Sequence, residues 1–538
     1  MFSGSEPPPP PDSLTAPRGL RRVIAVGGGR GGVGKSIVAT NLAVYLAQLG
    51  RSVVLVDADP VGAELHTLLG LEASWPRGGA TTNAGSNDPA GDDEDEGGLD
   101  CIPTAVPGLS LVPQTYRVGS TIPTRPGRKA HLVEAVRKLD ADYVVMDLGA
   151  GTAPATLDLF LAADLGVTVT TPEPPSVEAV YRFLRASFQR LVRRLLVSDR
   201  FRMRLAERAQ SELGPLPAPE ELTRVLARYD AGLGRMAAAE LTRLRPRLVV
   251  NGTRLRTDAD LGVTMGEMSK RYLGIALDYL GYVEHDDAVW LGVRKSRPLL
   301  IDNPTSKSAR NLERIARRAL ALLTLDTGPA SAPSDGLVPE RTLYDVLGMH
   351  RGATDEELRR AYKRTRENYQ SGSLALTSLL GSEALRREQG HIEEAHDTLL
   401  DPSKRRAYDA STFSEAAVET PKKPSVDHQA LEAERRLLQS ELAREINAET
   451  EFTGRLLAKV REARGVELEE IAKATKISLT YLRAIEAEAF AELPAMVYAR
   501  GFVQELAKYL KLDAAQVTKT YLLRLRQWRA ASEGETTS

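Results

Sequence analysis

The sequence predicts a doubly wound α/β fold with a mostly parallel sheet, followed by two small all-α domains. First, an apolar run at residues 23–26 leads into a glycine-rich loop and then into helical apolar spacing over 37–49. Second, the apolar runs 53–56 and 143–146 each end at an aspartate, as buried parallel strands often do at a ligand site. Third, short helical patterns dominate from residue 341 onward.

The glycine-rich loop carries the spacing Gly29-x-x-x-x-Gly34-Lys35-Ser36, which fits a P-loop between a strand and a helix. Glycines allow backbone N–H groups to curl around phosphate oxygens, and the helix start adds a positive dipole end. The alternative is an ordinary glycine-rich turn. The predicted cofactor-binding residues in the loop are Gly29, Arg30, Gly31, Gly32, Val33, Gly34, Lys35 and Ser36.

Three carboxylates are predicted to complete this site. Asp57 and Asp59 follow the second strand, and Asp147 follows the third. The carboxyl ends of parallel strands meet at the edge where open α/β sheets bind ligands. We therefore expect Ser36, Asp57 and Asp147 to bind Mg²⁺ and Asp59 to orient an attacking water.

The segment Arg30-Gly31-Gly32-Val33-Gly34-Lys35-Ser36, with Asp57-x-Asp59, resembles the deviant P-loop of the ParA/MinD ATPases. Thr171-Pro172-Glu173-Pro174-Pro175-Ser176 and Leu248-Val249-Val250-Asn251 resemble the MinD and FlhG branch of that family. The resemblance implies ATP and Mg²⁺ as cofactors and an ATP-dependent homodimer that hydrolysis reopens. It also implies that Asn251 contacts the adenine base.

The resemblance assigns catalytic roles to Lys35, Asp59 and Arg30. Arg30 stands where the family has a lysine that reaches the partner subunit's nucleotide. Arginine keeps the charge and adds a planar fork suited to phosphate. The alternative is that Arg30 lies on a solvated loop without a role in the dimer.

Length and composition set broad limits. A chain of 538 residues exceeds the roughly 250–300 residues of a single core, so several domains are expected. The formal net charge is −1, which favours no class of partner. The one cysteine, Cys101, suits a reducing compartment, and we find no signal peptide or membrane span. A cytoplasmic protein is expected, with peripheral contact at the inner face of the membrane left open.

The predicted ATPase occupies residues 21–324, after a disordered tail at 1–20. It contains an acidic disordered loop at 75–98 and a helical insertion at 183–245. The insertion is either a solvated helix face or a cationic patch for nucleic acid or anionic lipid. The helix 307–322 either packs on the sheet or binds a membrane. The arginines of the insertion are Arg185, Arg190, Arg193, Arg194, Arg200, Arg202, Arg204 and Arg208.

A linker at 325–340 precedes a segment, 341–410, that resembles a J-domain. The resemblance rests on Tyr344-Asp345-Val346-Leu347-Gly348 and on Ala395-His396-Asp397-Thr398-Leu399-Leu400-Asp401-Pro402. Asn368-Tyr369-Gln370-Ser371-Gly372 replaces the His-Pro-Asp region by which that family stimulates a chaperone ATPase. We therefore predict a protein-docking module without co-chaperone activity.

A polar, helical spacer at 411–450 leads to a helix-turn-helix pattern at 451–530 and a tail at 531–538. Leu493-Pro494, Tyr498 and Arg500-Gly501-Phe502 make this domain similar to the cytoplasmic domain of RodZ. Glu486 and Glu488 oppose Arg483 in the second helix, which favours a protein partner over DNA.

These patterns together predict an ATP-dependent dimerisation switch that positions cellular components, with two C-terminal modules for protein partners. Non-specific DNA contact or peripheral membrane contact remains open. The alternative is a DNA-binding regulator that uses the ATPase domain as a nucleotide sensor. A metabolic ATPase or ligase is less supported, because we find no second substrate site beside the P-loop.

Overall fold

A computed structural model describes residues 22–59, 62, 64–71, 99, 101–113, 134–324, 341–413, 435–440, 442, 443, 445–447 and 449–535. The tail 1–20, the acidic loop 75–98 and the linker 325–340 lie outside these residues, as does the part of the spacer at 414–434. The chain divides into two compact units, one of residues 1–316 and 328–419 and one of residues 317–327 and 420–538.

The first unit is built on an eight-stranded sheet with the order β3-β4-β2-β5-β1-β6-β7-β8. Neighbouring strands are parallel except β3 and β4, so the predicted doubly wound, mostly parallel sheet is confirmed. The central strands β2 and β5 are mostly apolar, as expected for strands that are covered on both faces, and each contains one buried aspartate. The strands are β1 Arg22–Gly28, β2 Val53–Ala58, β3 Ile102–Pro103, β4 Leu109–Val112, β5 Tyr143–Ala150, β6 Leu165–Thr170, β7 Arg247–Thr253 and β8 Asp278–Glu284.

Helices cover the sheet and extend beyond it. The long helix α4 begins at Pro174 and places Phe183 and Phe188, both 0% exposed, in the core. The first part of the predicted insertion 183–245 therefore belongs to a core helix, and α5 to α7 form the remainder. The helices are α1 Lys35–Gln48, α2 Leu65–Leu68, α3 Pro154–Ala162, α4 Pro174–Leu195, α5 Arg200–Leu213, α6 Pro219–Tyr229, α7 Ala231–Arg243, α8 Arg256–Leu273, α9 Asp287–Arg294, α10 Leu299–Asp302 and α11 Lys307–Thr324.

The helix α11, a candidate for membrane contact in the sequence, has a buried apolar face. Leu312 and Ile315 are both 3% exposed. Asn311 on the same helix accepts a hydrogen bond at its Oδ1 atom from the backbone of Glu284, at 3.1 Å. In the described chain, no helix combines the length and the apolar character needed to cross a bilayer.

Residues 341–413 form a small helical module that shares its core with α4 and α8. Thr342 and Thr354 each begin a helix with a capping box, in which the third helical residue is Asp345 and Glu357 respectively. The helices are α12 Leu343–Leu347, α13 Asp355–Asn368, α14 Ser382–Leu399 and α15 Pro402–Thr412, with a 3₁₀ turn at Leu374–Leu376.

The segment after α13 connects this module to the α/β core. The Tyr181 hydroxyl of α4 donates to the Ala375 carbonyl at 2.7 Å, and both residues are buried. The hydroxyls of Tyr272 and Tyr369 lie 2.8 Å apart, and Arg271 forms an ion pair with Glu388. Hydrogen bonds, a charge pair and apolar contacts therefore hold the module against the α/β core.

The second unit contains a helical core formed by residues from 438 to 525. Leu438 and Leu442, within the predicted spacer, are 2% and 7% exposed and belong to this core. The spacer therefore ends inside the C-terminal domain. The helices are α16 Gly454–Arg464, α17 Leu468–Thr475, α18 Leu479–Ala487, α19 Met496–Tyr509 and α20 Ala514–Glu535, with a 3₁₀ turn at Phe490–Glu492.

Removal of the Tyr181 hydroxyl tests the junction between the two parts of the first unit. In Tyr181→Phe the buried Ala375 carbonyl loses this donor, so we expect about 1–3 kcal/mol less stability. The measurements are urea unfolding of the full chain and amide exchange in 341–413, which should accelerate. Tyr498→Phe is the control, because Tyr498 is 65% exposed. Equal stability of the two variants would contradict a stabilising junction.

Candidate nucleotide-binding site

Two glycines allow the loop between β1 and α1 to pack closely against neighbouring elements. Gly34 has φ +92°, and a Cβ atom there would lie 2.2 Å from the Nδ2 atom of Asn251. A Cβ atom on Gly29 would lie 2.1 Å from the carbonyl oxygen of Ala179 on α4. Larger residues would push the loop away from α4 and from β7, so the predicted P-loop glycines have a direct steric basis.

Lys35 is the first residue of α1 and is 7% exposed. Its Nζ atom donates to the carbonyl of Arg30 at 3.3 Å, which fixes the ammonium across the loop. Burial lowers the pKa of Lys35, while the negative charges of Asp147 and Asp59 act in the opposite direction. The ammonium is therefore poorly hydrated and suited to an anionic ligand.

Asp57 and Asp147 are register partners in the adjacent strands β2 and β5. They are 1% and 3% exposed. Burial is the main cause that raises the pKa of Asp57 to about 6 and that of Asp147 to about 7. Strands extend through both residues, so the two carboxylates emerge from the sheet itself and not from the loops after it.

The residues around Asp147 fit a divalent cation. Its Oδ1 atom is buried and has no hydrogen-bond partner among the residues that the structure describes. The side chain of Ser36 hydrogen-bonds to the same carboxylate. An unpaired buried carboxylate oxygen beside a serine hydroxyl is an appropriate oxygen donor set for Mg²⁺. Ser36 and Asp147 would hold the ion, and its binding would displace the proton that burial favours.

Asp57 has a second task that the sequence did not indicate. Its Oδ1 and Oδ2 atoms accept hydrogen bonds from the backbone of Asp59, at 3.3 Å, and of Leu65, at 3.2 Å. These bonds position the segment after β2. Each oxygen keeps a further lone pair, so Asp57 could also contribute to a metal site, through a coordinated water.

Asp59 lies on the segment after β2 and is half-buried. Its Oδ1 atom accepts from the backbone of Gly62 at 3.1 Å. The electrostatic influence of Asp59 reaches Lys35 and Asp147, so the predicted water-orienting residue belongs to the same cluster. Its role in hydrolysis stays a prediction.

Asn251, in β7, contacts the P-loop directly. Its Nδ2 atom donates to the carbonyl of Val33 at 2.8 Å. Asn251, the predicted adenine-binding residue, therefore reaches the loop from β7, which lies on the side of β1 away from β2 and β5. Contact with the base itself stays a prediction.

Arg30 is bound by Glu173 and Ser176, at the start of helix α4, which follows β6. Its Nη1 atom lies 3.3 Å from the Glu173 carboxylate and 3.2 Å from the Ser176 hydroxyl. Thr171 donates to that hydroxyl at 2.7 Å. Sequence reasoning missed this contact, although β1 and β6 are neighbours, so the residues after them meet at one edge.

Two parts of the chain match known families. Residues 19–194 match the NUBPL iron-transfer P-loop NTPase family, and residues 456–517 match a helix-turn-helix domain family. The first match covers the P-loop and the three predicted carboxylates. The second begins in α16 and ends in α20.

Individual relatives share the α/β part of the chain. The antiactivator FleN of Pseudomonas aeruginosa is 30% identical over 302 residues, which cover 55% of this chain and 85% of FleN. The iron-sulfur cluster carrier protein of Aquifex aeolicus is 34% identical, over 29% of this chain and 40% of the carrier. The chromosome-partitioning ATPase Soj of Thermus thermophilus is 34% identical, over 30% of this chain and 58% of Soj.

A solved structure of the septum site-determining protein MinD, complexed with Mg-ADP and from Pyrococcus horikoshii, also matches. Its sequence is 18% identical, and the match covers 55% of this chain and 95% of that one, with a TM-score of 0.34.

Lys35→Ala tests the nucleotide site. A charge-assisted contact contributes about 1.5–3 kcal/mol, so ATP affinity should fall roughly 10- to 100-fold. Calorimetric titration of the full chain with Mg-ATP measures the change. Lys138→Ala is the matched control, since the Lys138 side chain is 73% exposed. ATP affinity that is unchanged in Lys35→Ala would contradict the site.

Proposed function

The chain belongs to the ParA/MinD family of P-loop NTPases, and we propose that it is an ATP-binding and ATP-hydrolysing dimerisation switch. We propose further that it acts in the positioning of cellular components, as the name of its relative Soj, a chromosome-partitioning ATPase, suggests. The observation that carries the proposal is the cluster of Lys35, Asp57 and Asp147 beneath the glycine loop.

The proposed binding mode follows from the loop. Backbone N–H groups of the loop and of the first turn of α1 would donate to phosphate oxygens, and Lys35 would add its charge. Mg²⁺, when bound, would neutralise phosphate charge and lower the barrier to its transfer. Ser36 and Asp147 are the residues that we assign to the ion, with Asp57 behind a water.

The proposed step in hydrolysis is the orientation of a water by Asp59. Asp57 fixes the backbone of Asp59 through the bond to its N–H group, so the carboxylate of Asp59 is presented from a defined position. A carboxylate there accepts a hydrogen bond from water and holds it in line for attack on phosphorus. Asp57 thus has a positioning role in the proposal and Asp59 a catalytic one.

The proposed dimer depends on Arg30. Within one chain Arg30 pairs with Glu173, and both side chains are substantially exposed, at 43% and 59%. Exposed ion pairs contribute little, so this contact can be exchanged for a stronger one. We propose that formation of the dimer transfers the Arg30 guanidinium to the phosphates in the partner subunit, where two oxygens can bind at once.

Iron transfer, suggested by two of the comparisons, is less supported by this sequence. Iron–sulfur clusters are commonly held by several cysteine thiolates. The chain has one cysteine, Cys101, which is exposed. An iron–sulfur cluster on this protein would therefore need cysteines from another chain or ligands other than cysteine.

A second candidate function, a DNA-binding regulator, is supported by the match of residues 456–517 to a helix-turn-helix domain family and by the pairing of two acids that the sequence placed against it. Glu486 binds Arg461 at 2.7 Å and Glu488 binds Arg524 at 2.8 Å, so neither acid offsets the exposed face of α18. The sequence analysis had placed Glu486 and Glu488 on the exposed face of α18 and for that reason favoured a protein partner. The exposed side chains of α17, α18 and the turn between them include the basic and polar residues Lys473, Lys476, Ser478, Thr480 and Arg483. They also include the acids Glu469 and Glu470, and Arg483 lies 3.7 Å from Glu469.

Duplex DNA titration tests this second candidate. If the helix-turn-helix binds DNA, affinity of the full chain should fall steeply with salt. Lys473→Gln with Lys476→Gln should lower the affinity about tenfold or more and flatten that slope. Lys508→Gln is the control, because Lys508 is exposed in the same unit and paired with Glu505. Salt-independent binding, or none, would exclude the DNA-binding regulator.

Asp59→Ala tests the proposed switch. We expect it to bind ATP but to hydrolyse it at least 100-fold more slowly, since a water-positioning group typically contributes about 10²–10⁴-fold. Phosphate release and gel filtration with ATP measure turnover and the trapped dimer. Glu64→Ala, an exposed acid in the same segment, is the control. Turnover within a few-fold of the unmodified protein would remove Asp59 from the mechanism.

The same trapped background distinguishes the role of Arg30. Asp59→Ala with Arg30→Ala should bind ATP as a monomer, and Arg30→Lys should restore part of the dimer. A dimer that persists in the Arg30→Ala background would leave Arg30 as a residue of a solvated loop.

A further inference from the structure

The turn between α4 and α5 projects apolar side chains into solvent. We call residues 194–204 the insertion tip. Val197 is 77% exposed and Phe201 is 69% exposed, with Leu195 beside them at 36%. The intervening Leu196 is 1% exposed and packs in the core, which anchors the turn while its neighbours face outward. Adjacent protruding apolar side chains mark an interaction surface.

The same tip is cationic. Arg194, Arg200 and Arg204 are exposed, and in the described chain no carboxylate lies within ion-pair distance of any of them. Arg200 and Arg204 are one helical turn apart and share a face of α5. The acid within the tip, Asp199, accepts from the Arg202 backbone at 3.0 Å and so caps α5.

Several other arginines of the insertion are paired with acids. Arg190 binds Asp158 at 2.6 Å, and Arg228 binds Glu212 at 2.9 Å. Arg202 binds Asp230 at 3.4 Å. Exposed arginines without an ion pair in the described chain also lie along the helices, because Arg193 bonds to the neutral Gln210 and Arg208 lies over the ring of Tyr229. The tip differs from these positions because its arginines stand beside exposed apolar side chains. Glu207, an exposed acid on α5, lies three residues after Arg204 on the same face of the helix, one turn further from the start of α5.

We propose that the insertion tip is a docking site for anionic lipid bilayers. Val197 and Phe201 would enter the boundary between headgroups and acyl chains, and Arg194, Arg200 and Arg204 would contact lipid phosphates. A nucleic acid would use the arginines but would leave the two apolar side chains in water, so the combination favours lipid. This inference rests on the proposed function, because it names the membrane as the surface on which the proposed ATP-dependent switch acts.

Vesicle flotation of the full chain, without nucleotide, tests the proposal. The probes are vesicles of phosphatidylcholine alone and vesicles that also contain phosphatidylglycerol. We expect binding to the anionic vesicles, a loss of at least tenfold in Val197→Ser with Phe201→Ser, and a loss of about fivefold for each arginine changed in Arg200→Gln with Arg204→Gln. Added salt should weaken the binding of the unmodified protein to anionic vesicles, and it should have a smaller effect on the binding of the arginine variant.

Matched controls separate the tip from general effects. Val497→Ser removes an apolar side chain that is 80% exposed elsewhere, and Arg224→Gln with Arg228→Gln removes two exposed charges from the same insertion. Both should bind vesicles as the unmodified protein does. Unchanged ATP binding by every variant confirms that the α/β fold is intact. Asp59→Ala should keep vesicle binding, so failure of the hydrolysis proposal is distinguishable from failure of this one.

Three outcomes would overturn the proposal. The first is no binding of the unmodified protein to anionic vesicles. The second is equal binding by the tip variants and the controls, which would place the contact elsewhere. The third is binding to duplex DNA that the arginine variant loses and the Val197→Ser, Phe201→Ser variant keeps, which would make the tip a nucleic-acid surface.

Discussion

Two buried carboxylates and a buried ammonium in one small volume constrain this α/β fold more than any other feature. Ionised groups with this little exposure each cost several kcal/mol unless a partner compensates. Lys35 and Asp147 compensate each other in part, whereas the charge of Asp57 adds to the cost of ionising Asp147. The three groups meet because β2, β5 and β1 are consecutive in the sheet. The strand order, the glycine loop and the position of α1 therefore all serve the same electrostatic balance. An anionic ligand that binds together with a divalent cation would alter this electrostatic balance, because the ligand brings negative charge to Lys35 and the cation brings positive charge to the carboxylates.

Helix α4 connects features that lie far apart in the sequence. The residues at its start, Glu173 and Ser176, hold Arg30 beside the P-loop. Its middle presents Tyr181 to the helical module, and its last turn leads into the insertion tip. A rigid helix of 22 residues thus contacts the nucleotide loop, a second module and an exposed surface.

The sequence alone predicted the parts of the site that obey local rules. The P-loop spacing and the aspartates after apolar strands are such rules, and β2 and β5 indeed place Asp57 beside Asp147. The contact of Arg30 with Glu173 spans 143 positions and depends on which strands are neighbours, which no local pattern contains. The acids Glu486 and Glu488 were misjudged for a similar reason. Helical spacing indicates which face a side chain shares, but not whether a distant arginine has already neutralised it.

The shared core of α4, α8 and the 341–413 module has a consequence for synthesis on the ribosome. The ATPase segment emerges first, and Tyr181 and Tyr272 then face water until residues 369–388 have left the exit tunnel. During that interval the nascent chain exposes an apolar face whose complement is still being translated. A holding chaperone, or a pause after residue 413, would protect it. Truncation before the module would make the exposure permanent, so a chain that ends before residue 341 is expected to aggregate even though Lys35, Asp57 and Asp147 are all present.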